Sequence, residues 1–481
     1  MADGTPDPST DPSTNLSCDQ LPTEMKRCPP ECVAALEQIM TGRVNIGTAV
    51  RSHHANSLTS VAPQWPDAVV WPETTEEVAA IVGIANQFQV PLIAYGAGTS
   101  LEGHINAPFG GIAVDLTRMN KIIAVRADDM DCTVEAGVTL QQLNAELKST
   151  GLFFPVDPGA EYATLGGMAA TRASGTTTVR YGSMRDNVIS LTAVMPSGEI
   201  VRSGRRARKS AAGYDLTRLL VGSEGTLGII TDLTLKLYGV PETILGAIAA
   251  FDDVGAACRA AIAAIQSGLN LARVELLDAA QVRCVNARSK LGLEEVPTLF
   301  LEFHGSAPAC LHDFESFKSL AMDEGGRDLR AAADEAGRRH IWKARHDAFW
   351  AVKTSWPGKD VLVTDVAVPL SHLAAAVADT AHDIETHGLT APIVGHIGDG
   401  NFHAIVVFDR TNAAEQSKVE QFLDRLVARA LAYDGTATGE HGIGQGKMRY
   451  LVDELGAGVN IMRQIKRAID PLNILNPGKI F

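Results

Sequence analysis

The chain has 481 residues, 46% hydrophobic and 20% charged, with a formal net charge of -14. That length predicts two or three domains with sizeable cores, and the acidic balance argues against nucleic acid or an anionic membrane as a general partner. No apolar run approaches the roughly 18 residues of a membrane span, and seven mostly scattered cysteines, an odd number, argue against a disulfide framework.

Residues 1–28 are rich in Asp, Pro, Ser and Thr. They show neither the basic-then-apolar order of a signal peptide nor the Arg-rich character of a transit peptide, and are expected to form a disordered tail on a cytoplasmic protein. Peripheral attachment at the inner face of a membrane stays open. Cys28 and Cys32 stand in CxxxC spacing without a second pair, which falls short of a structural zinc site.

Residues 29–62 read as a helical lead-in. A short strand follows in Trp65–Pro72, then a helix opened by the capping box Thr74-Thr-Glu-Glu77, with Val78, Ile81, Val82, Ala85 and Phe88 at helical spacing. The strand Val90–Tyr95 runs into glycines, Gly96-Ala-Gly-Thr-Ser-Leu-Glu-Gly103. Their spacing is wrong for GxGxxG, and a strand at 111–116 rather than a helix comes next, so a Rossmann nicotinamide site is not expected. Backbone N–H groups in such a loop can cradle a pyrophosphate, although a lone glycine-rich turn is as readily a tight connection.

Short strands are expected at 122–126, 131–135, 188–195 and 199–203, with a helix at 139–150. Small residues crowd the segments between them: Pro158-Gly-Ala160, Thr164-Leu-Gly-Gly-Met-Ala-Ala170, Ser174-Gly175, Tyr181-Gly182 and Glu224-Gly-Thr-Leu-Gly-Ile-Ile230. Such density suits a wall of backbone lying against a large ligand. Val221 stands where a hydrolase elbow requires glycine two residues before Ser223.

Four ordered motifs within residues 63–240, Tyr95–Gly103, Pro158–Ala170, Ser174-Gly175 and Gly222–Thr231, resemble the flavin-binding signatures of the vanillyl-alcohol-oxidase-type (PCMH-type) FAD domain. The resemblance implies FAD contacts from Tyr95, Gly96, Ala97, Gly98, Thr99, Ser100 and Gly103 on the pyrophosphate side. It implies further contacts from Pro158, Gly159, Ala160, Thr164, Gly166, Gly167, Ala170, Ser174, Gly175, Tyr181 and Gly182, and from Glu224, Gly225, Ile229, Ile230 and Asn476. Thr99 stands where covalent relatives carry histidine, so the FAD is expected to be non-covalent.

Residues 241–481 change rhythm. Strands at 243–251, 271–278 and 297–304 with helices at 253–267 and 309–324 predict a ferredoxin-like cap, giving an α+β fold overall. A helix at 338–353 places Trp342 and Phe349 on one side. A strand at 361–368 and a helix at 370–386 precede Val394-Gly-His-Ile-Gly-Asp-Gly-Asn-Phe-His403, and a helix at 413–433 precedes Thr438-Gly-Glu-His-Gly-Ile-Gly444. No internal repeat is visible in the sequence.

His396 and His403 would face opposite sides of one straight strand, but glycines at 395, 398 and 400 permit a positive-φ turn that brings them together. With Glu440 they offer three ligands for a divalent metal, Zn, Mn or Fe, with a position left for substrate. Taken alone, the same histidines serve equally as hydrogen-bonded loop residues, and a flavin-free metallohydrolase or a non-catalytic flavin-binding subunit fits parts of the pattern.

Trp342–His346, Thr364–Pro369, the two histidine segments and the ending Asp470–Ile480 resemble the FAD-dependent D-2-hydroxyacid dehydrogenases. The likeness is greatest to D-lactate dehydrogenases that deliver electrons to cytochrome or quinone, with glycolate and D-2-hydroxyglutarate dehydrogenases as relatives. The resemblance implies that Arg345 holds the substrate carboxylate, the metal lowers the hydroxyl pKa, His441 is the general base and hydride passes to flavin N5. Asn401 is a polar candidate in the substrate pocket, and His346 is expected to face away from it. The acceptor would be a cytochrome c, a quinone or an electron-transfer flavoprotein, and a homodimer is compatible. Val363 replaces the lysine of relatives that act on dicarboxylates, which favours a short monocarboxylate such as D-lactate.

Overall fold

The computed structural model describes residues 26–55, 57–332 and 334–481. Most of the expected tail lies outside these residues, but Arg27 and Cys28 at its end are tied to Asp67 at 2.8 and 3.1 Å. The lead-in is part of the first sheet. After the helix Pro30–Ile39, the strand Val44–Asn45 pairs antiparallel with Ala68–Val70, while Cys32, Leu36 and Met40 are buried in one cluster with Val78, Ile81 and Val82.

In that first sheet, Ala68–Val70 and Leu92–Tyr95 both lie parallel to Ile112–Asp115. The helix Thr75–Phe88 crosses between them, and the Thr74 side chain accepts from the Glu77 N–H. The Glu77 carboxylate reaches back one residue beyond the expected box, to the Glu73 N–H at 2.7 Å, and also takes the Arg43 guanidinium. A second, antiparallel sheet follows, in the order Ile122–Arg126, Asp131–Glu135, Ile229–Lys236, Val188–Val194 and Ile200–Arg202.

The cap is an eight-stranded sheet. Its first four strands run Arg327–Ala331, Thr243–Ala250, Thr298–Gly305, Leu271–Leu277, the fourth-first-third-second order of a ferredoxin-like unit. A helix at Ala279–Ser289, absent from the sequence reading, sits between the second and third strands. It is weakly amphipathic: Val282 and Val285 are buried together with Gln281, which donates to the Ala348 carbonyl at 3.1 Å.

The sequence shows no repeat, yet the backbone carries one. Val366–Ala367, the helix Leu370–Thr386, the strands Ile393–His396 and Asn401–Phe408, the helix Ala413–Ala432 and a bridge from Ala367 to Thr436 retrace the same strand order. The two copies join where Leu271–Leu277 pairs with Ile393–His396. Two expected elements are broken. The single helix at 338–353 is two, Glu335–His346 and Ala348–Ser355, interrupted at Asp347, a residue that competes with helical backbone. Trp342 is buried in the core at 3% exposure whereas Phe349 reaches the ligand cavity, so the two do not share a side. The strand at 361–368 is split around Thr364 and Asp365, the two residues that support the site.

The C-terminus returns to the FAD domain. Lys466, 3% exposed, donates to Asp470 and to the carbonyls of Thr226 and Leu475, and Leu475 bridges Leu92.

Candidate active site

A cavity of about 420 Å³ lies between the two domains. Its FAD-domain wall includes Tyr95 through Ser100, Pro158 through Ala160, Thr164, Gly166, Gly167, Ala170, Ser174, Glu224, Gly225, Ile230 and Asn476. Close backbone approach is built in at Gly96, where a Cβ would lie 2.2 Å from Thr164 Oγ1. A wall of backbone and small side chains between the two sheets fits a flat, elongated cofactor, and the donor-rich loop 96–100 suits its diphosphate.

Five residues expected at FAD do not line this cavity. Gly103 packs on Gln445, Gly175 on Asp157 and Gly182 on Asp186. Tyr181 instead bonds His304 of the cap at 2.7 Å. Ile229 points into the core behind the strand while its neighbour Ile230 faces the cavity, as alternation along a strand requires.

The other wall carries the chemistry. Val394 pairs with His403 and His396 with Asn401 across the hairpin, so the two histidines are diagonal neighbours on one face. Of the three glycines expected to form a positive-φ turn, only Gly400 adopts that conformation (φ +85); Gly395 and Gly398 instead leave room for Phe402 and Val179. The imidazole centroids are 5.4 Å apart, and both Nε2 atoms lie 3.3 Å from Glu440 Oε1. Each Nδ1 is engaged from behind, His396 by Glu275 Oε1 and His403 by the Thr364 carbonyl, both at 2.8 Å. That pattern leaves the Nε2 lone pairs available to a metal, as acceptors hydrogen-bonded behind metal-bound histidines do. Ser174 of the FAD domain donates to Glu440 Oε2 at 2.9 Å.

Burial alone would lower the His396 pKa, but Glu275 and Glu440 raise it well above the ordinary value. Burial would raise Glu440, yet His396 and His403 hold it well below the carboxylate range. The pocket is electron-rich, of a kind that could take either a proton or a divalent cation. Asp365, His403 and His441 form a second cluster of ligand type, but two of its three members are committed. His403 Nδ1 faces the Thr364 carbonyl, and Asp365 accepts from Asn401, Thr438, Lys447 and the N–H groups of Glu440 and His441. Asp365 is thus the anchor that shapes the loop bearing Glu440 and His441.

Arg345 and His441 both reach the cavity, and His441 stacks on His403 with centroids 5.2 Å apart and planes at 11°. Glu275 binds both Nε and Nη2 of Arg345, at 2.8 and 2.5 Å, so one side of the guanidinium fork is already taken. Two expectations are corrected. Asn401 does not line the cavity; it is 5% exposed and bonded to Asp365 and the Val366 carbonyl. His346 does not face away but lines the cavity beside Arg345. It is the last residue of its helix, whose end abuts the cavity, so the 100° divergence does not carry it out of reach. Phe349, Trp350, Val363, Val394 and Ile405 complete an apolar side wall.

The sequence reading missed Glu275, which is fully buried and joins Arg345 to His396. A carboxylate inside the apolar run Leu271-Ala-Arg-Val-Glu-Leu-Leu277 was the available signal. Its partner, His396, is opposite it on the neighbouring strand 121 residues away.

Comparison with known proteins agrees with this architecture. Residues 66–204 match the "FAD binding domain" family and residues 240–480 the "FAD linked oxidases, C-terminal domain" family. The chain is 45% identical to a probable mitochondrial D-lactate dehydrogenase of Danio rerio, covering 91% of this chain and 88% of that protein. It is 42% identical to the mitochondrial D-lactate dehydrogenase [cytochrome] of Arabidopsis thaliana, covering 95% and 81%. In fold it is similar to p-cresol methylhydroxylase, with a TM-score of 0.77 at 16% identity over 94% of this chain and 96% of the other. Alkyldihydroxyacetonephosphate synthase gives a TM-score of 0.74 at 20% identity, over 96% and 88%. Among the described residues no helix is long and apolar enough to cross a membrane. With both domains matched in order and the relatives aligned over nearly their whole length, the chain belongs to the FAD-linked oxidases, as a flavoprotein oxidoreductase of the D-lactate dehydrogenase family.

Proposed function

We propose that the protein oxidises D-lactate, or a similarly short D-2-hydroxy acid, to the 2-oxo acid and delivers the electrons to a cytochrome-type acceptor. The observation that carries this reading is the meeting of His396, His403, Glu440, His441 and Arg345 on one wall of the cavity whose other wall is the FAD-binding motifs. Bound FAD supplies the two-electron acceptor, and a divalent metal on His396, His403 and Glu440 supplies Lewis acidity toward the substrate hydroxyl.

The protein's own groups do the rest. Glu275 fixes the Arg345 guanidinium by two contacts, leaving Nη1 for the substrate carboxylate, a charge-assisted contact contributing about 1.5–3 kcal/mol. His441 takes the hydroxyl proton, a role that typically contributes about 10²–10⁴-fold. Its ring is held over the substrate position by stacking on His403. Phe349, Val363 and Ile405 exclude water and offer no cation to a second carboxylate. The cytochrome-type acceptor rests on the likeness to the cytochrome-linked D-lactate dehydrogenase of Arabidopsis thaliana.

The test is anaerobic bleaching of the flavin by separate additions of D-lactate, L-lactate, glycolate and D-2-hydroxyglutarate, before and after chelation. D-lactate should bleach it fastest and chelation should abolish the reaction. Faster bleaching by D-2-hydroxyglutarate or by L-lactate would defeat the substrate assignment.

A further inference from the structure

Glu102 ends the first glycine-rich loop, and neither cofactor binding nor the metal site gives it a task. Its position is nevertheless tightly built. The Glu102 carbonyl accepts from the N–H groups of Gln445 and Gly446 at 2.7 and 3.1 Å. Gly444 leaves no room for a side chain, since a Cβ there would lie 2.2 Å from the Glu102 carbonyl oxygen. The loop that carries His441 and the loop that carries Glu102 are therefore locked together, one from each domain.

The lock places the carboxylate beside the imidazole. Glu102 Oε1 lies 3.8 Å from His441 Nδ1 and 3.5 Å from Lys447 Nζ, with its side chain 12% exposed. His441 Nδ1 is buried and has no hydrogen-bond partner, while Nε2 lies on the metal side, 4.0 Å from Glu440 Oε1. A buried ring N–H without an acceptor is costly, so an acceptor is expected within a small movement. Asp365 is a rival carboxylate, but its oxygens already receive Asn401, Thr438, Lys447 and two backbone N–H groups. Glu102 has lone pairs to spare. Closing 3.8 Å to hydrogen-bond length takes a side-chain shift of about 1 Å, of the kind that active sites make when substrate binds.

Building on the reading of His441 as the base, we propose that Glu102 is a positioning residue. Its carboxylate accepts the Nδ1–H of His441, which fixes the ring's orientation and the tautomer that keeps Nε2 free to receive the substrate's hydroxyl proton. The proton passes from the hydroxyl oxygen to Nε2 and later to water; Glu102 exchanges no proton or electron. A carboxylate behind a catalytic or metal-bound histidine commonly sets its tautomer in this way.

The test uses the full-length holoenzyme as Glu102→Gln, Glu102→Asp and His441→Asn, compared by stopped-flow flavin reduction with D-lactate, bound-FAD absorbance and oxalate binding. Glu102→Gln should keep its FAD and its oxalate affinity while flavin reduction slows about 10²-fold, because an amide can donate to Nδ1 and impose the wrong tautomer. Glu102→Asp should recover at least tenfold of that loss. Flavin reduction in Glu102→Gln within threefold of the unaltered enzyme, with His441→Asn inactive, would overturn the proposal. A slow Glu102→Gln that had also lost FAD or oxalate binding would overturn it as well, by showing a structural role. An active His441→Asn would instead remove the base assignment on which the proposal stands.

Discussion

Replacing Asp365 by Asn should cost about 3–5 kcal/mol, the usual effect of breaking a buried charge pair on one side. The structure shows where that energy resides. Asp365 is 2% exposed, and its carboxylate accepts from Asn401 Nδ2 at 2.7 Å, Thr438 Oγ1 at 2.9 Å, the N–H groups of Glu440 and His441 at 3.0 and 2.9 Å, and Lys447 Nζ at 3.3 Å. The amide keeps one acceptor oxygen and turns an NH₂ toward donors, leaving the 7% exposed Lys447 ammonium to the Glu102 carboxylate at 3.5 Å. Burial raises the Asp365 pKa, but Lys447, His441 and His403 outweigh it and hold the carboxyl well below its ordinary range. A depressed folded-state pKa gives stability that is present above the unfolded value near 4 and lost as pH falls through the folded value. The stability gap between the unaltered protein and Asp365→Asn should therefore be full at pH 7 and narrow below about pH 4. Urea denaturation followed by tryptophan fluorescence at pH 7 and at pH 4 and below measures the gap, and isothermal titration with Zn²⁺ or Mn²⁺ measures the expected loss of metal affinity as the 438–441 loop loosens. A destabilisation under 1 kcal/mol at pH 7 would refute the reasoning.

Three further outcomes follow from individual contacts. Gly96→Ala places a methyl group 2.2 Å from Thr164 Oγ1 and should reduce bound FAD at least tenfold while leaving the far-UV circular dichroism unchanged; full flavin occupancy would contradict it. Burial lowers the Lys479 amine to about 7, although Glu224 opposes the shift. The unfolded chain then binds the extra proton between about pH 7 and 10, so this residue's contribution to stability rises with pH in that window. The stability of the unaltered protein relative to Lys479→Met should increase by roughly 1–2 kcal/mol from pH 7.5 to 9, and a flat difference would refute the assignment. Val363→Lys adds a cation to the cavity wall and should raise kcat/KM for D-2-hydroxyglutarate relative to D-lactate at least tenfold; an unchanged ratio would show that this position does not read the second carboxylate.

Much of the fold was legible because its signals are local. The Thr74 cap, the helix Thr75–Phe88, the ferredoxin-like succession in the cap and the crowding of small residues at 158–175 are properties of short windows. The cavity lining follows those small residues closely, since backbone can approach a flat ligand only where side chains are absent. Residues 1–25 carry the same compositional clarity but lie outside the described residues.

The site required more. Ligand chemistry and glycine spacing singled out His396, His403 and Glu440 in the sequence, and the family resemblance pointed to His441 and Arg345. Only the tertiary structure decided that they meet. The hairpin register puts the two imidazoles on one face, and the pairing of Leu271–Leu277 with Ile393–His396 delivers Glu275 behind both His396 and Arg345. The break at Thr364 and Asp365 turns a strand edge into the anchor for a loop 75 residues later. Tyr181 and Asn401 misled because tertiary packing sets their partners: Tyr181 bonds His304 across the domains, and Asn401 bonds Asp365 and the Val366 carbonyl within the cap. A sequence specifies which groups can do the chemistry, while burial and strand register over more than a hundred residues decide which of them share a cavity and which are spent holding it in shape.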